Sequence, residues 1–479
     1  MPGKLLRDLS ASTLQVITNQ ALGVIVFLIT SLYLSKHYFG ELNWSVAIFT
    51  FAYTLLSLRL EQIVVRKSAI EPDSSKIMTL YLVHVLICGI GFYLLVLLLK
   101  LIFPSFFTTH SLLWVIGISQ LLSFISSPFK QVANGKERFD YLAIMSSISN
   151  LVRVVLLTIG IALFSIDMQW VLIIFIISSF IELSVCFFLV RFRMNIALSR
   201  TISLHDYITL LKNSLPQIGS ALLMAGITRM DWILLGVFST SAITAEYSFA
   251  YRVFELSPFP LLIIAPLLLS RFSKYFAHNK EQLFLTRKKE LGILVRAEMI
   301  AATLIPLVLN IIWTPLIDSL TGNKYGLVNQ YTFLILSFCI PFQYISNIIW
   351  SAHFAMDRLK LILKITITTF CIILVGDLLF IPLYGSKGAA LVFLLAMITE
   401  YVNYMRSSEL AKIKETWQSL LICLLAAAGS GFAAIYFLDT TLWRLISALL
   451  SFFFLLLATR QLQIHDILFV IQLIRKKRN

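Results

Sequence analysis

Stretches of about 20 mostly apolar residues, the length a bilayer-crossing helix needs, recur along the whole chain between short polar or basic turns. The pattern predicts about fourteen spans. The first six cover Thr13–Leu34, Leu42–Val65, Ile77–Phe103, Ser111–Ala133, Tyr141–Phe164 and Met168–Val190. The next six cover Leu215–Phe238, Ile243–Leu269, Leu291–Ile317, Leu327–Ala352, Leu361–Leu383 and Gly388–Ser408. Thr416–Leu438 and Thr441–Arg460 complete the set. The longest pieces between spans, Arg191–Ser214 and Ser270–Glu290, each hold a surface helix, Leu204–Leu211 being one. A last segment, Ile464–Ile474, ends in Arg475-Lys476-Lys477-Arg478 and reads as an interfacial helix on anionic lipid.

Composition agrees. Of 479 residues 59% are hydrophobic and only 13% charged, against roughly 25% charged in soluble domains. The net charge of +15 would point to nucleic acid in a soluble chain; here the basic residues sit between spans, so topology explains them. With the N-terminus inside, thirty of the 39 Lys and Arg fall in predicted inner segments or at the inner ends of spans, five in outer loops or at outer ends, and four deeper within spans. A wrong count would scramble that alternation, so the positive-inside rule favours an even number of spans and both termini in the cytoplasm. The basic start Met1–Ser10 leads into a first span rather than a removable signal.

A faint repeat relates the halves. Trp44-Ser45-Val46-Ala47 opens span two and Tyr247-Ser248-Phe249-Ala250 opens span eight. Lys136-Glu137-Arg138 precedes span five, and Asp357-Arg358 precedes span eleven. The expected fold is an all-α polytopic membrane protein: two pseudo-twofold-related six-helix lobes plus two C-terminal helices. The boundaries are 1–200 for the N-lobe, 201–410 for the C-lobe, 411–461 for spans thirteen and fourteen, and 462–479 for the basic tail. Pro258, Pro260, Pro306, Pro315 and Pro341 interrupt spans eight to ten, as ordinary kinks or as hinges.

Charge inside spans carries the functional signal, because it is costly unless paired or wetted. The stretch from Arg229 to Glu255 holds Arg229, Asp231, Glu246, Arg252 and Glu255. Arg59 and Arg153 are the other buried cations, and an arginine stays charged and forks onto carboxylate or phosphate. Arg252 and Glu255 are three apart and can pair on one helix face; Arg229 and Asp231 are two apart and cannot. Arg153 has no acid at helical spacing and is the best candidate to line a wet cavity. Arg59, Arg153, Arg229 and Arg252 are therefore candidate anion ligands, each weighed against a structural ion pair. Asp231, Glu255, Asp377 and Glu182 are candidates for ion coupling or for structural pairing.

Nothing marks an enzyme. The seven histidines show no metal spacing, Cys88, Cys186, Cys339, Cys371 and Cys423 show no paired spacing, and no phosphate loop or nucleophile elbow occurs. No metal and no cofactor is expected. Energy for transport would come from an ion gradient or a partner, or the cargo would move downhill.

Several segments together resemble the polysaccharide-transport branch of the multidrug/oligosaccharidyl-lipid/polysaccharide flippase superfamily, of the Wzx type. They are Lys212-Asn213-Ser214-Leu215-Pro216, Arg229-Met230-Asp231-Trp232-Ile233-Leu234-Leu235-Gly236 and Ala245-Glu246-Tyr247-Ser248-Phe249-Ala250-Tyr251-Arg252, with the turns Gly135–Tyr141 and Leu379–Ala390. Asp231 and Arg252 fall on motif positions; Arg59 and Arg153 fall on none. The resemblance implies a flippase for undecaprenyl-diphosphate-linked O-antigen or other surface-glycan units in a bacterial cytoplasmic membrane. Membrane lipids are its surroundings, H+ or Na+ and a polysaccharide polymerase are candidate partners, and nucleic acid is not one. The alternatives are a cation-coupled multidrug antiporter of the same superfamily and a lipid-linked peptidoglycan-precursor flippase. A glycan polymerase or ligase would need a larger outer loop than Pro104–His110 or Asp318–Gly326.

Overall fold

A computed structural model describes residues 2–163, 166–258, 261, 282–407 and 414–463. Its regular structure there is helical throughout. Among the described residues twelve helices are long and apolar enough to cross a bilayer, or thirteen if one bent pair counts as a span. The protein is a multi-pass membrane protein. Large apolar side chains on its surface fit that medium: Leu94, Leu98 and Leu101, or Leu450 and Phe454, lie exposed along single helices. The basic tail and most of expected span eight beyond Pro258, with Pro260, lie outside the described residues.

The chain forms two compact units, Met1–Ala245 and Glu246–Asn479. Unit 1 begins with α1 (Pro2–Tyr33), α2 (Lys36–Leu56) and α3 (Leu60–Ile70), followed by α4 (Ser75–Ile102) and the short α5 (Pro104–Thr109). Next come α6 (Leu112–Gly135), α7 (Phe139–Leu163), α8 (Met168–Phe188) and α9 (Leu204–Phe238), and the start of α10 (Ser241–Leu256). Side-chain caps start several of these helices. Ser35 accepts from the Tyr38 amide and Asp167 from the Trp170 amide. Ser203 and Asp206 form a reciprocal capping box at α9. Asp206 lies outside the span; the Lys76 ammonium, 2.8 Å away, and the Ser203 hydroxyl hold its carboxyl down at about 2. The surface helix expected at Leu204–Leu211 continues unbroken through Pro216 into span seven as one helix of 35 residues.

Span two departs from the straight helix expected over Leu42–Val65. It breaks after Leu56, and α2 and α3 meet at 55°. Leu58 and Arg59 both take positive φ, 50° and 57°, a left-handed conformation that costs roughly 1–2 kcal/mol per L-residue. The break frees the Leu56 carbonyl, and His84 of α4 satisfies it. His84 Nε2 lies 2.7 Å from that oxygen, while Nδ1 lies 2.9 Å from the Tyr207 hydroxyl. One imidazole tautomer serves both bonds, donating to the carbonyl and accepting from the phenol.

α2 also packs tightly on α9. Trp44 Nε1 donates to the Ile233 carbonyl at 3.1 Å. A Cβ at Gly236 would run into the Trp44 indole, and one at Gly40 into the Ser241 carbonyl. Behind this contact Tyr53 stacks on Phe124 at 4.5 Å in the unit's core.

Unit 2 contains the rest of α10, α11 (Gln282–Thr321), α12 (Gly326–Ala355), α13 (Leu359–Tyr384), α14 (Ser386–Arg406), α15 (Lys414–Phe437) and α16 (Thr441–Ala458). Trp313 of α11 stacks on Phe333 of α12 at 3.8 Å, and Phe249 on Tyr325 at 4.6 Å. The turns noted as repeats are built alike. Glu137 and Asp357 both have positive φ, and the next amide, Arg138 or Arg358, bonds back to the carbonyl of Ala133 or His353 at 2.9 and 3.0 Å. Each closes its helix with the same C-terminal motif.

Candidate functional site: a cation on a serine surface

Unit 1 concentrates its buried polar groups where α6, α7 and α8 meet. Ser119, Ser123 and Ser126 follow one face of α6; Ser178, Ser179 and Glu182 face them from α8. Arg153 of α7 lays its guanidinium on these hydroxyls. Its Nε donates to Ser178 Oγ at 2.8 Å, Nη2 to Ser179 Oγ at 3.2 Å and Nη1 to Asn150 Oδ1 at 3.5 Å. The Phe175 ring lies beneath it at 4.3 Å. Asn150 in turn donates to Asn19 of α1 at 2.9 Å.

The anion of the cluster is already engaged. Glu182, 3% exposed along its side chain, pairs with Lys130 of α6 and accepts from Ser126 at 3.0 Å. Ser123 Oγ lies 3.4 Å from Glu182 and 3.2 Å from Ser179, so one chain of hydroxyls joins the Lys130–Glu182 pair to Arg153. Hydroxyls solvate a cation without cancelling its charge. Two cations and one carboxylate leave the cluster with an excess positive charge on a half-buried, fork-shaped donor. Chemically it suits a ligand with two or more anionic oxygens.

The remaining candidates are placed differently. Arg59 is half-buried at the left-handed N-cap of α3, where its charge acts on Glu61, which also accepts from the Tyr81 hydroxyl at 3.4 Å. Among the described residues no hydrogen bond joins Arg59 to the Arg153 network. Arg229 of α9 sits over the Trp232 ring at 4.6 Å, and Asp231 accepts from the Trp232 amide at 2.8 Å. Arg252 and Glu255 form the helical pair their spacing allows, at 2.8 Å in unit 2. Asp377 is fully buried on α13, one residue from Gly376, which packs on Val392 of α14. The structure thus joins Arg153 to Glu182 and Arg252 to Glu255.

Lys130 is the residue that sequence reasoning missed, because it counted there among the inner-side cations, at the end of the span Ser111–Ala133. Its place inside α6 pairs it with Glu182 across a helix interface. The signal in the sequence was the serine spacing on α6, four and then three residues apart, which marks one helical face.

Comparison with known proteins agrees with this architecture. The family described as "Polysaccharide biosynthesis protein" matches residues 5–275. The chain belongs to that family. No curated protein sequence matches. Among solved structures, this member of the family is similar to "Lipid II flippase MurJ, inward closed conformation". The TM-score is 0.69 and the identity 16%, over 93% of this chain and 97% of that one. An inward-facing multidrug resistance MATE family transporter of the MOP superfamily matches at TM-score 0.64 and 11% identity, over 83% and 96%. The Vibrio cholerae MATE transporter VcmN in its bent form matches at TM-score 0.52 and 16% identity, over 87% and 99%. These likenesses show the fold: the family member described here has the helical architecture of MurJ and the MATE transporters.

Proposed function

We propose that the protein is a flippase that carries an undecaprenyl-diphosphate-linked oligosaccharide, an O-antigen or other surface-polysaccharide repeat unit, across a bacterial cytoplasmic membrane. The observation that carries this reading is Arg153, bonded to hydroxyls and an amide while the nearby carboxylate is committed to Lys130. A diphosphate can take the place of hydroxyl partners without breaking an ion pair. Arg59, set at a strained break in span two, and Arg229 are further anion ligands in this reading; Arg252, in the other unit, is open to an anion only when it releases Glu255. Strain of this kind persists mainly where function requires it.

The lipid tail stays in hydrocarbon. Unit 2, taken by itself, holds an apolar cavity of about 330 Å³ between α11, α12 and α15, lined by Pro306, Leu307, Phe338, Leu424 and Phe432. Loading from the cytoplasmic side and release outside follow alternating access, with both termini cytoplasmic. Family membership in polysaccharide biosynthesis supports a glycan cargo. A lipid-linked peptidoglycan precursor is the second reading, favoured by the fold shared with MurJ. Both cargoes present a diphosphate, so Arg153 serves either. Purified protein in proteoliposomes, offered each lipid-linked glycan in turn, separates the two; transport of neither defeats the proposal.

A further inference from the structure

Glu298 of α11 is an acid that the serine cluster does not use, and it lies in the other unit. It is 3% exposed, and neither carboxylate oxygen has a hydrogen-bond partner among the described residues. No basic group pairs with it there. An ionised carboxylate so placed is an uncompensated buried charge, which folding strongly disfavours.

The register of α11 on α12 shows what surrounds it. Trp313 stacks on Phe333, and Asn310 donates to Ser337 at 2.8 Å, so the two helices run antiparallel. Carried along both helices, that pairing brings Glu298 level with Asn347–Ser351. Helical phase puts Glu298 on the flank of α11 that lies toward Tyr344, Asn347 and Ser351, away from the cavity at α15. Its charge is close enough to act on the Tyr344 hydroxyl. Tyr344 is fully buried, and that hydroxyl donates to the Ser257 carbonyl at 3.1 Å, closing the site from the end of α10. The Asn347 amide nitrogen and the Ser351 hydroxyl, like the carboxylate, have no partner among the described residues.

Among the described residues, the charged and titratable groups on the packed elements do not neutralise Glu298. Arg252 and Glu255 of α10 bind each other at 2.8 Å. On α12 the titratable groups toward this end are Tyr344 and His353, the latter stacked on Tyr404 of α14. Arg296 is two residues away on α11 and points to a different face. Across Thr416–Phe437 of α15 there is no Asp, Glu, Lys, Arg or His; across Thr441–Ala458 of α16 the one such group is Arg444, near the start of the helix.

From this geometry we propose that Glu298, with Tyr344, Asn347 and Ser351, is a binding site for a small monovalent cation, a proton or a sodium ion. Loaded, the site carries no net charge, as a carboxylic acid with the proton or as a carboxylate balanced by sodium. Empty, it turns to the amide of Asn347 and the hydroxyl of Ser351, the two donors that lack partners. The site therefore has two hydrogen-bonding states, set by cation occupancy, on the interface between two spans. It adds an energy input to the flippase reading, and its test does not depend on the cargo.

The test uses the full-length protein in detergent and follows its thermal midpoint. One arm exchanges choline chloride for sodium chloride at constant ionic strength and pH 8; the other varies pH from 5.5 to 8.5 in choline chloride. The wild type should gain several degrees with sodium or with falling pH, and the arm that responds identifies the cation. Glu298→Gln, a neutral isostere, should lose that response and match the midpoint of the loaded wild type. If it does not fold, Asn347→Ala with Ser351→Ala should shift the sodium concentration or pH of half-effect by at least threefold or half a unit. A wild type flat in both arms, or a full response surviving in the variants, overturns the proposal. A response without transport of any lipid-linked glycan would instead keep this site and defeat the cargo assignment.

Discussion

Replacing Arg153 by Ala separates function from stability in a way that its surroundings dictate. The substitution removes three hydrogen bonds to Ser178, Ser179 and Asn150 and one contact with Phe175. Every partner left behind is neutral. Serine hydroxyls can turn to helix carbonyls, as Ser178 already does toward Phe175 at 2.9 Å. The expected loss of stability is about 1–2 kcal/mol, the range of ordinary hydrogen-bond deletions. Lys130 is the opposite case. Its removal strands Glu182, 3% exposed, without its cation, and breaking a buried pair in this way costs about 3–5 kcal/mol. Lys130→Ala should therefore deplete the protein from the membrane, and Lys130→Met with Glu182→Gln should restore it.

For a diphosphate cargo, two charge-assisted bonds from Arg153 at about 1.5–3 kcal/mol each correspond to a loss of roughly 10²- to 10⁴-fold. Arg153→Lys keeps the charge but not the fork and should fall between. The assay is surface-glycan display in a deletion strain carrying each variant, with the amount of protein in the membrane measured alongside. Normal display by Arg153→Ala at normal abundance would refute the cationic-site argument. So would an abundance loss equal to that of Lys130→Ala, because it would make Arg153 a structural residue.

Other expectations follow from single contacts. Arg59→Gly relieves a left-handed residue, so the thermal midpoint should rise by the equivalent of about 1 kcal/mol while glycan export falls; a drop in both would count against a functional Arg59. His84→Phe keeps ring volume but leaves the Leu56 carbonyl unmet, and should lower stability by about 1–3 kcal/mol, read as a lower thermal midpoint. Gly236→Ala forces a methyl into the Trp44 indole and should cost about 1–3 kcal/mol by the same measurement. The depressed carboxyl of Asp206 contributes stability that is present above the ordinary carboxylate range and is lost as pH falls through about 2. The start of α9 should accordingly show unchanged amide-exchange protection from pH 7 to pH 5, whereas Asp206→Asn should lose protection at both.

The sequence was most informative where one physical constraint acts along a single helix. Apolar length located the spans, and Arg252 with Glu255 could be paired from spacing alone. The repeat of Lys136-Glu137-Arg138 and Asp357-Arg358 was visible because turn chemistry is local. Contacts between helices were not legible. Lys130 looked like one more cation at the inner end of its span because nothing local says that Glu182, 52 residues on, lies opposite it. The break at Leu58 and Arg59 was hidden for a related reason: neither residue is Gly or Pro, and the histidine that caps the freed carbonyl sits on another helix.

That break also bears on where span two ends. Lys36–Leu56 has 21 helical residues, which at 1.5 Å each extend about 31 Å, already the thickness of a hydrocarbon core. Yet Lys36–Leu56 is not among the twelve helices apolar enough to cross by themselves; only with Leu60–Ile70 does it count as a span. Turned aside by 55°, that second arm buries Leu60, Ile63 and Val64 in the unit's core, so the span ends inside protein packing and Arg59 stands at the joint where it changes direction.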